Sequence, residues 1–129
     1  MYKVIFMWKD TPGRTIDELD RHYLDVHTPI VLRKIAELPG FRGYIQNRVI
    51  ESHAHDFNSL AGRPAHPDFD RSVELFFDDE SSMRAVSVNP EAFIDHANFM
   101  DVDRPSSLRV YVVSERIAAN NGLRTSDVG

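Results

Sequence analysis

Hydrophobic residues cluster in four short segments that are typical of β-strands. The first, residues 2–9 (YKVIFMWK), is rich in β-branched and aromatic residues and is closed by the turn sequence DTPG. Residues 41–50 (FRGYIQNRVI), 71–78 (RSVELFFD) and 107–117 (SLRVYVVSERI) have the same character. The pattern therefore predicts four strands.

A helical pattern follows the first strand. Thr15 and Glu18 form a capping box, which marks a helix start. Apolar residues then recur at helical spacing, at Ile16, Leu19, Tyr23, Val26 and Ile30. We expect a kink near Pro29, because proline cannot donate a helical hydrogen bond, and an end at the LPG sequence, residues 38–40.

The order of elements predicts an α+β fold. A second helix is expected over residues 78–100, interrupted at the Asn-Pro dipeptide because a residue before proline avoids helical angles. The resulting βαββαβ order is that of the ferredoxin-like fold with a four-stranded antiparallel sheet. We expect one domain over residues 1–118, a long loop or lid at 51–69 and a flexible tail at 119–129.

Both faces of the predicted sheet are apolar. In the first strand, Val4, Phe6 and Trp8 lie on one face while Ile5 and Met7 lie on the other. Two helices cover only one face of such a sheet. The pattern therefore predicts a homodimer in which two sheets pack against each other as a dimeric α/β barrel.

Charge and composition exclude several classes of partner. The 129 residues include 15 Lys and Arg against 20 Asp and Glu, for a net charge of −5 without any basic run. A nucleic-acid partner or an anionic membrane surface is therefore not expected. The absence of cysteine excludes disulfides, thiolate nucleophiles and thiolate metal sites. The early apolar run VIFMW is too short for a signal peptide or membrane span, so we expect a cytoplasmic protein.

The segment HYLDVHTPIV, residues 22–31, concentrates titratable side chains. At about 100° per residue, His22 and His27 fall on opposite flanks of the apolar stripe, where a side chain can reach a pocket. Imidazole suits proton transfer at neutral pH, although a lone boundary histidine often only binds a backbone carbonyl. The clustering with Tyr23 and Asp25 makes these histidines candidates for a general base. Tyr23 lies in the stripe, with its hydroxyl toward any pocket there.

The second and third predicted strands add polar candidates for substrate binding. Tyr44, Gln46 and Arg48 share one strand face, and Asn47 lies on the other. Tyr44 and Arg48 would bind a carboxylate or enolate, or else Arg48 forms a surface ion pair at the dimer rim. Glu74 is either a buried carboxylate with a raised pKa or, as favoured here, the partner of an arginine.

The remaining histidines leave two alternatives open. His53 and His55 lie in the 51–69 segment and would chelate a metal only with an extended backbone and a third ligand that the sequence does not show. We therefore expect no metal site and favour a lid with acid–base histidines. His96 falls in the apolar stripe of the last helix and either points into the same pocket or is a core residue.

The sequence resembles a known family in four segments. HYLDVHTPIV, LPGFRGYIQNRV, VELFFDDESSMRAV and HANFMD occur in the order found in EthD-type proteins of the dimeric α/β-barrel superfamily, and the resemblance spans residues 2–116. It implies ferredoxin-like dimers with a pocket between sheet and helices in each subunit. It also implies cofactor-independent chemistry on small ring compounds or polyketides, by isomerases, cyclases, dehydratases or oxygenases.

A more distant resemblance is to methylmuconolactone methylisomerases. It rests on a valine–histidine pair late in the first helix, a Pro-Gly turn and a tyrosine four residues after that glycine. The resemblance implies an acid–base role for His27, a pocket role for Tyr44 and a further histidine at His53 or His55. The cysteine of those enzymes has no counterpart in this chain, so the resemblance does not extend to the identical reaction.

Three functions are compatible with these residues. The first is a cofactor-independent enzyme of isomerase or lyase type, in which His27 moves a proton on a small ring-derived or carboxylated intermediate of aromatic-compound catabolism. Tyr44 or Arg48 would stabilise an enolate, and His22 or a loop histidine would return the proton. The alternatives are hydrolysis of an ester or lactone, and a non-catalytic ligand-binding dimer. A haem- or oxygen-using enzyme, including a cofactor-free oxygenase, is a weaker fourth hypothesis.

Overall fold

Four long strands hydrogen-bond into one antiparallel sheet, as the sequence predicts. The computed structural model describes residues 1–56, 61–86, 90–104, 107–119 and 122. The strands are β1 (Tyr2–Trp8), β2 (Phe41–Arg48), β3 (His53–Ala54), β4 (Arg63–Pro64), β5 (Arg71–Phe77) and β6 (Leu108–Ser114). The large sheet has the order β2-β5-β1-β6, while β3 and β4 pair separately. With helices between its strands, this sheet confirms the ferredoxin-like α+β fold.

The first helical stretch is continuous but contains a π-helical turn. It consists of α1 (Ile16–His22), the π turn (Tyr23–His27) and α2 (Thr28–Ile35). The Thr15 hydroxyl accepts a hydrogen bond from the Glu18 amide at 3.1 Å, so the predicted cap is present. At the π turn, the Thr28 amide and hydroxyl both donate to the carbonyl of Tyr23, five residues back.

Pro29 explains the position of this turn. In an α-helix the proline ring collides with the carbonyl four residues earlier, and proline has no N–H to donate. A widened turn immediately before Pro29 removes that conflict without ending the helix. The structure therefore has a π-helical turn directly before Pro29, the position at which the sequence predicts a kink.

The π turn shifts the buried stripe by one residue. Val26, predicted to be buried, is 43% exposed, whereas His27 is 4% exposed. The prediction that Val26 is buried was therefore wrong. The prediction that the buried stripe begins at Ile16 was also wrong, because Ile16 is 52% exposed. Leu19, Tyr23 and Ile30 of the predicted stripe are buried as expected. The side chains that line the inner side follow a spacing of four, at Leu19, Tyr23, His27, Val31 and Ile35.

The second helical segment consists of three short pieces. These are α3 (Glu80–Arg84), α4 (Pro90–Asp95) and a 3₁₀ turn (His96–Asn98). Asp79 caps α3 by accepting the Ser82 amide at 2.6 Å, and Gly40 lies so close that a Cβ would collide with both residues. Pro90 opens α4, where its missing N–H costs nothing. The predicted helix is therefore interrupted, since α3 ends at Arg84 and α4 begins at Pro90; the predicted position of the break at Asn89 lies outside the described residues.

Two further predicted segments are only partly described. The 51–69 segment contains the β3–β4 pair, which the sequence did not predict because two-residue strands have no periodicity, and residues 57–60 lie outside the described part. The predicted tail at 119–129 also lies almost wholly outside it. Within the described residues, no helix has the length and apolar character needed to cross a membrane.

The two faces of the sheet are both largely apolar. Val4, Trp8 and Leu75 are buried beneath the helices. On the opposite face, Ile45 and Tyr111 are 40% and 47% exposed. An apolar face of this kind is expected to be covered in solution.

Glu74 lies on the uncovered face and forms an ion pair there. Lys3 Nζ is 2.9 Å from its Oε1, and the Asn47 amide donates to its Oε2 at 3.3 Å. The favoured arginine partner for Glu74 was therefore wrong, because the residue that reaches it is a lysine. Asn47 also donates to Ser72, so its side chain is engaged on the same face.

Candidate functional site

A cavity of about 450 Å³ lies between the sheet and the helices. Its size is in the range that takes a small organic ligand. Most of its wall is apolar and comes from β1, β5, β6, α2 and the segment from α3 through the 3₁₀ turn. The polar residues in the wall are Tyr23, His27, Lys34, Tyr44, Arg84 and His96. We call this space the main cavity.

His27 is the buried imidazole of the main cavity. The π turn directs it inward, where it stacks on Tyr23 at a ring distance of 5.4 Å and meets the edge of Phe99 at 4.6 Å. Its Nδ1 is 3.0 Å from Asp95 Oδ2. Burial lowers the pKa of His27, and the hydrogen bond and charge of Asp95 oppose that shift only in part. The ring is therefore neutral at pH 7.

Asp95 fixes which nitrogen of His27 carries the hydrogen. Burial works against ionisation of Asp95, but hydrogen bonds from Asn98, His22 and His27 outweigh it and lower the pKa of this carboxyl group. An ionised carboxylate can only accept hydrogen bonds, so Nδ1 must be the donor. Nε2 then carries the lone pair, and it has no hydrogen-bond partner among the described residues. This is the tautomer that a general base requires.

The π turn also brings His22 to the same carboxylate. His22 Nε2 donates to Asp95 Oδ1 at 2.8 Å, and Asn98 Nδ2 donates to the same oxygen at 2.9 Å. In an α-helix, residues five apart are separated by about 140° around the axis. In a π turn the hydrogen bond spans five residues, so the two histidines come to the same side. His22 does not line the main cavity and acts on it through Asp95.

His96 lies across from His27. Their ring centres are 5.3 Å apart, and both rings line the main cavity. Burial lowers the pKa of His96 to about 4, with a smaller contribution from the nearby His27. Two neutral imidazoles therefore face the cavity at pH 7. Of the two positions considered for His96, a core site or a pocket site, the structure has the pocket site.

Two tyrosine hydroxyls meet at the sheet side of the cavity. The Tyr23 and Tyr44 oxygens are 2.5 Å apart. Burial raises the pKa of both phenols, so both remain protonated at neutral pH. One hydroxyl must donate to the other, and the second hydrogen is left for a ligand or another acceptor. The pair can therefore stabilise an oxyanion by donating a hydrogen bond.

A second cavity of about 210 Å³ lies beside the first. Trp8 and Tyr23 line both cavities and so form the partition between them. The second cavity also contains Arg48 and Arg71, which face each other across β2 and β5. Arg48, expected beside Tyr44, therefore belongs to a different space from the main cavity.

Other predicted site residues lie away from the main cavity. His53 is exposed on β3 beside Glu51, and the exposed His55 ring lies over Gly62. Asn47 and Glu74 lie on the opposite face of the sheet. Within the described residues, no group of three or more His, Asp or Glu side chains is arranged to hold a metal ion.

Asp95 is the residue of the candidate site that sequence reasoning missed. Its partners His22 and His27 are 73 and 68 positions away along the chain, so no local pattern indicates them. The available signal was the acidic residue directly before His96 on an apolar helix face. An acidic residue at a buried position requires partners, and the unassigned histidines of the first helix were the candidates.

Comparison with known proteins identifies the fold and family. The sequence model of the EthD domain matches residues 11–103. No curated protein sequence matches the chain. An EthD family protein from Bacillus halodurans C-125 is similar in structure with a TM-score of 0.57 at 20% identity, covering 90% of this chain and 99% of that one.

Two other solved structures have the same architecture. An EthD-like protein from Ralstonia eutropha JMP134 gives a TM-score of 0.60 at 20% identity, over 92% of this chain and 94% of that one. A dimeric ferredoxin-like protein of unknown function from Jannaschia sp. CCS1 gives 0.52 at 15% identity, over 88% and 98%. At these identities the likeness supports the fold alone.

Proposed function

This chain belongs to the EthD domain family. From this membership and from the geometry of the main cavity, we propose that the protein is a cofactor-independent enzyme of isomerase or lyase type. Its substrate is a small ring-derived or carboxylated intermediate of aromatic-compound catabolism. The observation that carries the proposal is the buried pair of His27 and Asp95, with the free ring nitrogen of His27 in an apolar cavity.

His27 acts as the general base in this scheme. Its neutral ring removes a proton from a carbon next to a carbonyl group of the substrate, through Nε2. The imidazolium that forms is stabilised by Asp95, 3.0 Å from Nδ1. His22 and Asn98 hold that carboxylate in place from its other side. The proton then returns from His27 to a different atom of the substrate, which completes an isomerisation without a net change of charge.

Tyr44 stabilises the intermediate. Removal of the proton places negative charge on the substrate oxygen, and the phenol of Tyr44, kept protonated by burial, donates a hydrogen bond to it. Tyr23 supports that hydroxyl through their 2.5 Å contact. Tyr23 is held in turn by the buried rings of Trp8 and Phe99, which fixes the position of the pair.

The wall of the cavity supports a mostly apolar substrate. Val110 and Val112 line it from the edge strand β6 and remain half exposed, which leaves an entrance there. Lys34 and Arg84 also contribute to the wall and are exposed. Their positive charges support a carboxylate on the part of the substrate that faces solvent.

We further propose that the protein is a homodimer. The sheet face opposite the helices exposes Ile45 and Tyr111. The similar proteins from Jannaschia sp. CCS1 and Thermobifida fusca YX are described as dimeric ferredoxin-like proteins. Packing that face against a second copy would bury the apolar side chains without covering the main cavity, which lies on the helical side.

The decisive experiment compares His27→Gln with His22→Gln on a panel of enol lactones, muconolactones and methyl esters. His27→Gln should lower kcat by about 10² to 10⁴, the range for losing a general base, while His22→Gln should cost less because it acts through Asp95. The ascending limb of the pH–rate profile should lie below pH 6.5, because burial lowers the pKa of His27, and should vanish in His27→Gln.

The panel also separates catalysis from ligand binding alone. An isomerase changes a lactone without consuming water, and a hydrolase opens it to the acid. Saturable binding of the panel without any turnover would reject the enzymatic proposal. Near-normal turnover by His27→Gln would reject its mechanism.

A further inference from the structure

We propose that Phe93 and His96 form a binding subsite of the main cavity for an aromatic ring that carries a hydroxyl group. The proposal deepens the proposed function and rests on it for the position of the reacting carbon, which lies further inside, at His27. It assigns a role to two cavity residues that the mechanism does not use, and it names a chemical class of substrate.

Four flat side chains follow one another along the main cavity. Tyr23 stacks on His27 at a ring distance of 5.4 Å. The His27 ring lies 5.3 Å from that of His96, which in turn lies 5.8 Å from that of Phe93. All four line the cavity. Tyr23 is 5% exposed and Phe93 is 63% exposed, so these rings lead from the core to solvent. A ligand that enters beside Phe93 therefore contacts flat rings on its way to His27.

Phe93 is the apolar member of the subsite. The short helix α4 exposes two large apolar side chains, since Phe93 is 63% exposed and Ile94 is 74% exposed. Phe93 lines the main cavity and Ile94 does not. A ligand ring that packs against Phe93 removes apolar surface from water, which is favourable. Contacts between aromatic rings add to that gain, so an aromatic ring benefits from Phe93 more than a saturated ring does.

His96 is the polar member of the subsite. Because burial lowers its pKa to about 4, the ring is neutral at pH 7 and has one N–H donor and one lone pair. Neither ring nitrogen has a hydrogen-bond partner among the described residues. The side chain is partly exposed and lines the cavity, so water reaches it when no ligand is bound. A ligand that displaces this water must replace its hydrogen bonds.

A hydroxyl group is the substituent that fits His96 best. It can donate to the lone pair or accept from the N–H, so it suits either tautomer of the ring. A carboxylate can only accept, and its charge would be poorly solvated beside the apolar wall. The exposed Lys34 and Arg84 suit a carboxylate at the solvent side instead. The ligand therefore binds with any charged group outward and its hydroxyl group inward.

Three probe ligands test the subsite by NMR titration at pH 7. They are 4-hydroxyphenylacetate, phenylacetate and cyclohexylacetate, which share a carboxylate and differ in the hydroxyl group or in the ring. The hydroxyl group should tighten binding about twofold to tenfold, the range for one hydrogen bond. Saturable shifts of the Phe93 and His96 ring resonances should accompany binding of both aromatic probes.

His96→Phe tests the hydrogen bond. Phenylalanine keeps a flat ring at this position and removes both nitrogens. The variant should therefore bind 4-hydroxyphenylacetate no more tightly than phenylacetate, while phenylacetate binding stays within about twofold of the wild-type value. A hydroxyl preference that survives in His96→Phe would overturn the proposal.

Phe93→Ala tests the ring contact, and Ile94→Ala is its matched control on the same helix. The ratio of the cyclohexylacetate Kd to the phenylacetate Kd removes the difference in hydrophobicity between the probes. This ratio should fall about twofold or more in Phe93→Ala, because the aromatic contact is lost, and should keep its wild-type value in Ile94→Ala. An unchanged ratio in Phe93→Ala, or an equal fall in Ile94→Ala, would overturn the proposal.

The binding assay does not require turnover, so the subsite and the proposed function can fail separately. The expected preferences without turnover of any lactone or ester would support the subsite and reject the enzyme. Turnover that depends on His27, in a protein that shows neither preference, would support the enzyme and reject the subsite. The absence of saturable binding by both aromatic probes would also reject the subsite.

Discussion

Replacing Asp95 with asparagine should switch the tautomer of His27. The carboxylate of Asp95 accepts three hydrogen bonds, two at Oδ1 from His22 and Asn98 and one at Oδ2 from His27. Asparagine keeps one oxygen. If that oxygen replaces Oδ1, two of the three bonds survive and the new NH₂ group faces His27 Nδ1. His27 must then accept at Nδ1 and carry its hydrogen on Nε2, so the base toward the main cavity is lost.

The expected magnitudes follow from that rearrangement. The two surviving bonds change from charge-assisted to neutral, which costs about 1 kcal/mol each, while relief from burying a charge offsets part of the loss. Asp95→Asn should therefore lower the free energy of unfolding by about 1–3 kcal/mol. Turnover should fall by about 10² to 10⁴, because the wrong tautomer removes the general base.

Nitrogen NMR of the imidazole tests the tautomer without any substrate, since protonated and unprotonated ring nitrogens have different shifts. Asp101→Asn is the control: Asp101 lies 3.5 Å from Arg104 Nε and does not line the main cavity, so its replacement should leave His27 unchanged. A His27 ring that keeps its hydrogen on Nδ1 in Asp95→Asn, together with normal turnover, would refute the reasoning.

Three further predictions concern stability, assembly and metals. The pKa values of His27 and His96 lie below the unfolded value of about 6.5, so the unfolded state binds protons first as the pH falls. The free energy of unfolding should therefore fall on the order of 1–3 kcal/mol from pH 6.5 to 4. Urea unfolding of His96→Phe should show a smaller fall over the same pH range, and an unchanged fall would contradict the assignment. The native mass should be twice that of the chain. Ile45→Lys places a charge on the exposed apolar face of the sheet and should yield aggregated or unfolded protein. A stable wild-type monomer at micromolar concentration would argue against the dimer. Activity should survive exhaustive chelation, and loss restored by one metal ion would instead implicate His53 and His55 as ligands.

The strands and their faces were predictable because their signals are local. The four predicted segments contain the four strands of the large sheet, with ends that differ by at most three residues. Tyr44 and Arg48 do share a sheet face, as alternation requires. The Thr15 hydroxyl also caps the first helix, as predicted, by accepting the Glu18 amide. Each of these depends on residues within a few positions of one another.

The site was less predictable because it depends on a register shift and on distant partners. An α-helical period placed Val26 inside and His22 and His27 apart, and only the π turn reverses both results. Asp95 is invisible as a partner until the last helix folds against the first. Arg48 lies on the expected face, but Trp8 and Tyr23 divide the space beneath it in two.

The π turn makes this site sensitive to length as well as to identity. Removing one residue between Tyr23 and His27 would return the segment to an α-helix and rotate the residues before it by about 100° relative to the residues after it. His22 and His27 would no longer share Asp95, although every side chain of the site would still be present. In relatives of this chain, a single insertion or deletion here can therefore create or abolish the histidine pair. An alignment forced through this segment without a gap would match His27 to a residue on another side of the helix.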